Sequence, residues 1–267
     1  MKTLNATEGL SWIRNGWRLF TRSPMTWIFS VITYWLIMAL AGLIPIIGAL
    51  IATLFIPAFA VSFMNISREL DQGRTAEPAL IFSGFREHLP VLVRLGGIYL
   101  VAVLVIVMLT QFADGGVLMN LMLFNQQPTE EELAQASVGS AVMLALFLYL
   151  PVQLAFWFAP VLVAWQEMGA AKALFYSFFA CLQNWRAFLA YGFAWMLLGG
   201  LLPGTLGTAL AVALSGGEPN PAISQTLMFG FLLLLVPTLF ASFYFSYRDI
   251  FNAPSEPEPV VDTESEG

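Results

Sequence analysis

The sequence predicts an all-α membrane protein with six transmembrane helices. Of the 267 residues, 58% are hydrophobic and 10% are charged, whereas an ordinary soluble domain has about 45–50% apolar and about 25% charged residues. The apolar residues also form six separate stretches, and the basic residues lie at one set of ends of these stretches. A soluble protein of this length could not bury so much apolar surface, so lipid is the expected solvent.

Each stretch is long enough to cross a bilayer, whose hydrocarbon core of about 30 Å requires roughly 20 apolar residues per helix. The predicted spans form one membrane domain within residues 1–252. They cover, approximately, residues 25–43, 46–66, 90–112, 138–165, 186–213 and 226–247. Residues 253–267 contain five acidic side chains, three prolines and no aromatic residue, a composition that predicts a disordered acidic tail.

The basic residues predict the orientation of the spans. All 11 lysines and arginines lie at or near one set of span ends, which are the start of the first, third and fifth spans and the end of the second, fourth and sixth. The opposite connections contain none. Because the cytoplasmic loops of membrane proteins are enriched in lysine and arginine, we expect both termini on the cytoplasmic side.

Amphipathic segments lie beside the spans on this basic side. In Gly9–Phe20, the apolar residues recur at helical spacing, and arginines occupy the opposite face. The apolar face carries Leu10, Ile13, Trp17 and Phe20. Similar segments occupy Ala79–Leu89 and Ala170–Leu182, so we expect three helices that lie in the cytoplasmic interface. In the first of them the arginines are expected to face anionic headgroups. On the opposite side, the short apolar stretch Val117–Phe124 is expected to lie on the outer leaflet.

An internal repeat links the second and sixth spans. Residues Pro57–Leu70 align without gaps with Pro237–Ile250, and both contain Pro, four residues, Ser-Phe, four residues, Arg, an acid and an aliphatic residue. The fourth span has Pro160 at a comparable distance from its basic end. The pattern is compatible with three units, each made of an interfacial helix, an outgoing span and a proline-containing incoming span. Chance similarity among apolar sequences is the alternative.

Several short motifs are distributed over the whole chain. They are Gly16-Trp-Arg-Leu-Phe20, Leu43-Ile-Pro-Ile-Ile-Gly48, Phe158-Ala-Pro160, Ala180-Cys-Leu-Gln-Asn-Trp185 and the closing Ser246-Tyr-Arg-Asp-Ile-Phe251. In combination they resemble a family of uncharacterised multi-pass inner-membrane proteins of proteobacteria. The resemblance implies the bacterial inner membrane as the location and carries no activity with it.

The candidate lipid-headgroup or interface contacts are Arg14, Trp17, Arg18, Arg22, Arg94, Arg186 and Arg248. Arginines near helix starts can extend to the headgroups while their stems remain in the hydrocarbon. For Arg94 and Arg186 the alternative is a buried ligand contact. Arg248 either caps and anchors the last helix or offers a docking point for a cytoplasmic partner.

Two intramembrane features have two interpretations each. Gln153, the most central polar side chain, either bonds neighbouring helices and the carbonyls freed by Pro151 or lines a substrate cavity. Gly199-Gly-Leu-Leu-Pro-Gly204 in the fifth span either forms a broken helix of the transporter kind or allows a kink or close helix contact.

The remaining composition excludes most chemistry. Ionisable side chains are missing from the span centres, Cys181 and His88 are each the single residue of their type, and the formal net charge is −6. We therefore predict no catalytic residue, no cofactor or metal site and no nucleic-acid partner. The expected function is a non-enzymatic protein that binds membrane lipid or assists other membrane proteins. The alternatives are a small transporter or channel for an uncharged or amphiphilic solute and, third, a membrane-embedded enzyme.

Overall fold

The computed structural model describes residues 2–44, 47–86, 88–124, 126–129, 137–218 and 220–251. Throughout these ranges the regular structure is helical and no strand occurs. Six helices are long and apolar enough to cross a membrane, which confirms the predicted all-α class with six spans. The predicted tail, residues 253–267, lies outside the described residues.

The helices that the structure describes include six spans and several shorter elements. In chain order they are α1 (Ala6–Arg22), α2 (Pro24–Gly42), α3 (Ile47–Asp71), a 3-10 helix (Pro78–Phe85), α4 (Leu89–Asp114), α5 (Val117–Phe124), α6 (Val138–Trp157), α7 (Ala159–Gln166), α8 (Ala170–Gln183), α9 (Trp185–Trp195), a π-helical segment (Met196–Leu201), α10 (Leu202–Leu214) and α11 (Pro221–Phe251). The spans are α2, α3, α4, α6 with α7, α9 with α10, and α11.

Two of the short elements contact incoming spans in the same way. In the 3-10 helix, a Cβ added to Gly84 would lie 2.0 Å from the Ala58 carbonyl oxygen and 3.0 Å from Ser62 Oγ of α3. On α1, a Cβ added to Gly16 would lie 2.6 Å from the backbone nitrogen of Ser242 in α11. Ser62 and Ser242 are equivalent in the sequence repeat, so one kind of contact is used at both places.

The third contact explains the break in the fourth span. Ser177 Oγ of α8 accepts a hydrogen bond from the Phe158 N–H and donates one to the Leu154 carbonyl, both at 2.8 Å. In an uninterrupted α-helix these two backbone groups would bond to each other. The Ser177 hydroxyl is inserted between these two backbone groups, and α6 ends before Phe158 at this point. These contacts place Phe158 opposite the interfacial helix, in the position that Ser62 has in the first hairpin.

The three contacts join the hairpins into a ring. The 3-10 helix packs on the first hairpin (α2 and α3), α8 packs on the second (α4, α6 and α7), and α1 packs on the third (α9 to α11). The 3-10 helix and α8 thus pack on the hairpin before them in the chain, whereas α1 packs on the last hairpin and closes the ring. The contacts give the three proposed units a common geometry.

The core lies near this ring of contacts, at what we call the basic end: α1, the 3-10 helix, α8 and the adjoining ends of the spans. In α11, every buried residue lies between Pro237 and Ile250. In α3, all but Gly48 lie between Pro57 and Leu70. Aromatic rings fill this region, and Phe63 stacks on Phe240 with ring centroids 3.9 Å apart.

Candidate lipid-contact surface

An ion pair at the basic end connects the second and sixth spans. Arg248 Nη1 lies 2.9 Å from Asp71 Oδ2, and the Tyr244 hydroxyl donates to the same oxygen at 3.0 Å. The guanidinium of Arg248 also lies 4.6 Å from the centre of the Phe245 ring. Of the predicted headgroup contacts, Arg248 is thus the one whose charge is already paired within the protein.

Trp165 connects the fourth span to the second at the same end. Its indole Nε1 donates to Asn65 Oδ1 at 2.9 Å, and the guanidinium of Arg68 lies 4.6 Å from its ring centre. In the next residue, Gln166 donates to the Tyr247 hydroxyl at 2.9 Å. The three incoming spans are therefore joined by polar contacts at the basic end.

Helix α1 is a packed part of this end, which the sequence analysis did not predict. Trp12 is completely buried, and its Nε1 donates to Asp249 Oδ2 at 3.0 Å. A Cβ added to Gly9 would lie 2.1 Å from the Ala187 carbonyl oxygen. Gly9, Trp12 and Gly16 follow one another at spacings of three and four residues, and this pattern could have revealed the packed face.

The predicted apolar face of α1 is divided between protein and surroundings. Phe20 is buried, whereas 51% of Leu10 and 44% of Trp17 are exposed. The exposed side chains lie beside the arginines of the same helix. This leaves the surface of α1 with both apolar and cationic groups available for contact with lipid.

Several arginines at the basic end are exposed and have no carboxylate partner among the described residues. They are Arg14, Arg18, Arg22, Arg86 and Arg94. By contrast, Arg74 pairs with Glu69 at 2.6 Å. The uncompensated charges remain available to anions outside the protein.

A second group of cations lies over exposed aromatic rings. The guanidinium of Arg186 lies 5.4 Å from the ring centre of Trp185, and Lys172 Nζ lies 5.8 Å from that of Tyr176. Trp185 is 51% exposed and Tyr176 is 37% exposed. Tryptophan and tyrosine of this kind are typical of the level of lipid headgroups.

Gln153 lies in the fourth span, next to Leu154, whose carbonyl accepts the hydrogen bond from Ser177 of α8. The Gln153 side chain forms no hydrogen bond with the residues that the structure describes. One turn away, the Tyr149 hydroxyl lies 2.7 Å from that of Tyr99 in α4. The two tyrosines therefore join α4 to α6 by a hydrogen bond, and the Gln153 amide forms no such bond between described helices.

The glycine-rich part of the fifth span does not form a break with a loop. It continues as a π-helical segment into α10. A Cβ added to Gly200 or Gly204 would meet no atom within 4 Å, and one on Gly199 would approach only Trp195, at 3.8 Å. These glycines therefore accompany a distortion of the helix and do not mark a close helix contact.

Comparison with known proteins identifies one informative relative. A protein of Burkholderia thailandensis, named a probable inner membrane protein, is 33% identical over 269 residues, and the alignment covers 98% of each chain. No family model matches the chain. The solved structures also contain no match.

Proposed function

This chain belongs to the family of the Burkholderia probable inner membrane protein, and we propose that it acts in the bacterial inner membrane as a non-enzymatic protein that binds anionic lipid headgroups at its basic end. The observation that carries the proposal is the surface made by α1, α8 and the start of α9. It combines exposed cations without carboxylate partners and exposed aromatic rings.

The energetics of a membrane surface favour this function. Each lysine or arginine near an anionic leaflet contributes about 1 kcal/mol of attraction, which decreases within a Debye length. Arg14, Arg18 and Arg22 lie on one helix and are all exposed. Since α1 is fixed by Trp12, these arginines are held at the surface without a further loss of backbone freedom on binding.

The first experiment compares a free arginine with a paired one in the full-length protein. Arg18→Gln should reduce the thermal stabilisation that phosphatidylglycerol confers on the detergent-solubilised protein, relative to phosphatidylcholine. Arg74→Gln is the matched control, since its charge is already paired with Glu69. Replacement of Arg14, Arg18 and Arg22 together should remove most of the difference between the lipids. Equal losses in the Arg18 and Arg74 variants would contradict the proposal.

The proposal requires the basic end to face the cytoplasm, as the distribution of lysine and arginine favours. Burial raises the pKa of the Cys181 thiol and lowers its reactivity, and a Cys181→Ala variant provides the cysteine-free background. Cysteines at Gly115 and Gly216 should then react with an impermeant thiol reagent in intact cells. A cysteine at Gln72 should react only after lysis, and the reverse pattern would contradict the orientation.

One observation favours the alternative of a small transporter. The π-helical segment Met196–Leu201 interrupts the fifth span, and π-helical turns are frequent at functional sites. Proteoliposomes that contain the protein would then be more permeable to glycerol, an uncharged probe, than empty vesicles. Lipid selectivity without such permeability would favour the headgroup function.

A further inference from the structure

The inference concerns the regulation of the cationic surface of α1, and it rests on the proposed lipid-headgroup function. Arg14, Arg18 and Arg22 follow one another at intervals of four residues, so they lie along one face of the helix, and all three are exposed. Glu8 is the single acid of α1 and precedes all three arginines. The second half of the helix therefore presents a row of positive charges. We call Arg14, Arg18 and Arg22 the arginine row.

The chain itself contains a segment of the opposite charge. Residues 253–267 carry five carboxylates and no lysine or arginine. The acids are Glu256, Glu258, Asp262, Glu264 and Glu266. Among the residues that the structure describes, the arginine row has no carboxylate partner. The acidic segment offers the charges that would complement it.

The structure places the start of this segment beside α1. The Lys2 N–H donates to the Ile250 carbonyl at 3.0 Å, and Trp12 Nε1 donates to Asp249 Oδ2 at 3.0 Å. Both acceptors lie within two residues of Phe251, the last residue of α11. The segment therefore leaves α11 next to the helix that carries the arginine row.

The arginine row is within reach of the acidic side chains. From Arg14 to Arg22, the axis of α1 covers roughly 12 Å at 1.5 Å per residue. Glu256 is five residues beyond Phe251, which allows a reach of up to about 17 Å, and the reach at Glu266 is up to about 50 Å. The first acids can thus contact the start of the row while later ones contact its end.

We propose that residues 253–267 bind to the arginine row and compete there with anionic lipid headgroups. Because the segment is tethered beside α1, its carboxylates are present at an effective concentration of about the millimolar range. Exposed ion pairs are individually weak, so the segment yields to a leaflet that offers many phosphates. Lipid binding then depends on the density of anionic lipid in the membrane.

Disulfide trapping in neutral detergent tests the contact without anionic lipid. In a Cys181→Ala background, Thr21→Cys, between two arginines of the row, is combined with Val260→Cys, between two acids of the segment. Non-reducing electrophoresis then measures the disulfide that forms within one chain on mild oxidation. Both substitutions leave every charged side chain in place.

The matched control is Thr75→Cys with the same Val260→Cys. Thr75 is also exposed, and it lies four residues after Asp71, which bonds to Arg248 near the end of α11, so the segment can reach it as well. We expect about fivefold more disulfide at Thr21 than at Thr75, and screening by about 0.5 M salt should remove this difference.

The trapping experiment separates this inference from the lipid function. Equal yields at Thr21 and Thr75, or disulfides only between chains, would overturn the inference. They would leave the headgroup function in place, because the Arg18→Gln experiment measures that function directly. Phosphatidylglycerol, but not phosphatidylcholine, should lower the yield at Thr21. A yield that neither lipid changes would overturn the competition.

The regulatory effect is tested by removing the charges of the segment in the full-length protein. With all five acids replaced by their amides, the protein should need about fourfold less phosphatidylglycerol for half-maximal thermal stabilisation. The same replacement in the Arg14→Gln, Arg18→Gln, Arg22→Gln protein should give no such gain, because the row is already absent. No gain in either protein would overturn the inference. An equal gain in both would also do so, because the segment would then repel anionic lipid without occupying the row.

Discussion

The two halves of the bundle differ in what holds them together. At the basic end, glycine contacts, a buried tryptophan and polar bonds join helices from all three hairpins. In the opposite half, the only buried residue of α6 is Ala141, and α11 has none before Pro237. The opposite half has fewer buried residues, among them Ile106, Val107 and Thr110 of α4, so the specific packing that arranges the spans is concentrated at the basic end.

The largest effect should come from the buried face of α1. Trp12→Ala removes a side chain that is completely buried and breaks its hydrogen bond to Asp249. We expect a loss of about 3–5 kcal/mol in the free energy of unfolding, measured by denaturant titration in detergent. Trp17→Ala is the control, and the exposed indole should contribute under about 1 kcal/mol. Similar losses in both variants would mean that α1 is held by the membrane and not by the bundle.

A smaller loss is expected where the 3-10 helix contacts α3. In Gly84→Ala, the added Cβ would lie 2.0 Å from the Ala58 carbonyl oxygen, so one of the two backbones must move. Such overpacking costs about 1–3 kcal/mol, observable as a lower melting temperature. Gly192→Ala, in the same half but with no atom within 4 Å of its new Cβ, is the control. If Gly84→Ala were harmless, this contact would not position the hairpin.

The ion pair should contribute less because its side chains are partly exposed. Asp71→Asn weakens the contacts of this side chain with Arg248 and Tyr244. The side chain of Asp71 is 22% exposed. We expect a loss of about 1 kcal/mol that shrinks as salt is added. Glu69→Gln, which affects only the neighbouring Arg74, should change the stability by a smaller amount. An effect that does not depend on salt would assign the loss to the hydrogen bond from Tyr244.

The smallest effect, with the opposite sign, is expected in the loosely packed half. Gly204→Ala adds a Cβ that meets no atom within 4 Å in a helical position. Alanine should stabilise the helix by up to about 1 kcal/mol, since glycine loses more backbone freedom on folding. A marked destabilisation would show that this half has a close contact at Gly204 after all.

The sequence predicted the parts of the fold that depend on lipid as solvent. Span number follows from apolar length, and α5 covers the predicted stretch Val117–Phe124. The start of α8 at Ala170 was also predicted, because its amphipathic period is local. These features need no knowledge of which helices are neighbours.

The contacts within the candidate site depend on distant parts of the chain and could not be predicted in this way. The packing of Trp12 was not predicted, because nothing near it in sequence indicates Asp249 as a partner. Arg248 was expected to contact headgroups, yet it pairs with Asp71. The exposure of Arg14, Arg18 and Arg22 was predictable, since it follows from the polar face of one helix.

The packing of α1 on α11 also has a consequence for biosynthesis. Helix α1 is translated before any span, but the groups that bury Trp12 and Gly16 belong to α9 and α11, which leave the ribosome later. The backbone N–H of Lys2 also bonds to the carbonyl of Ile250, at 3.0 Å. Until α11 is synthesised, the partners of Gly16 and Lys2 do not exist, so α1 cannot reach its packed position. The final step of assembly is therefore the capture of the first helix by the last.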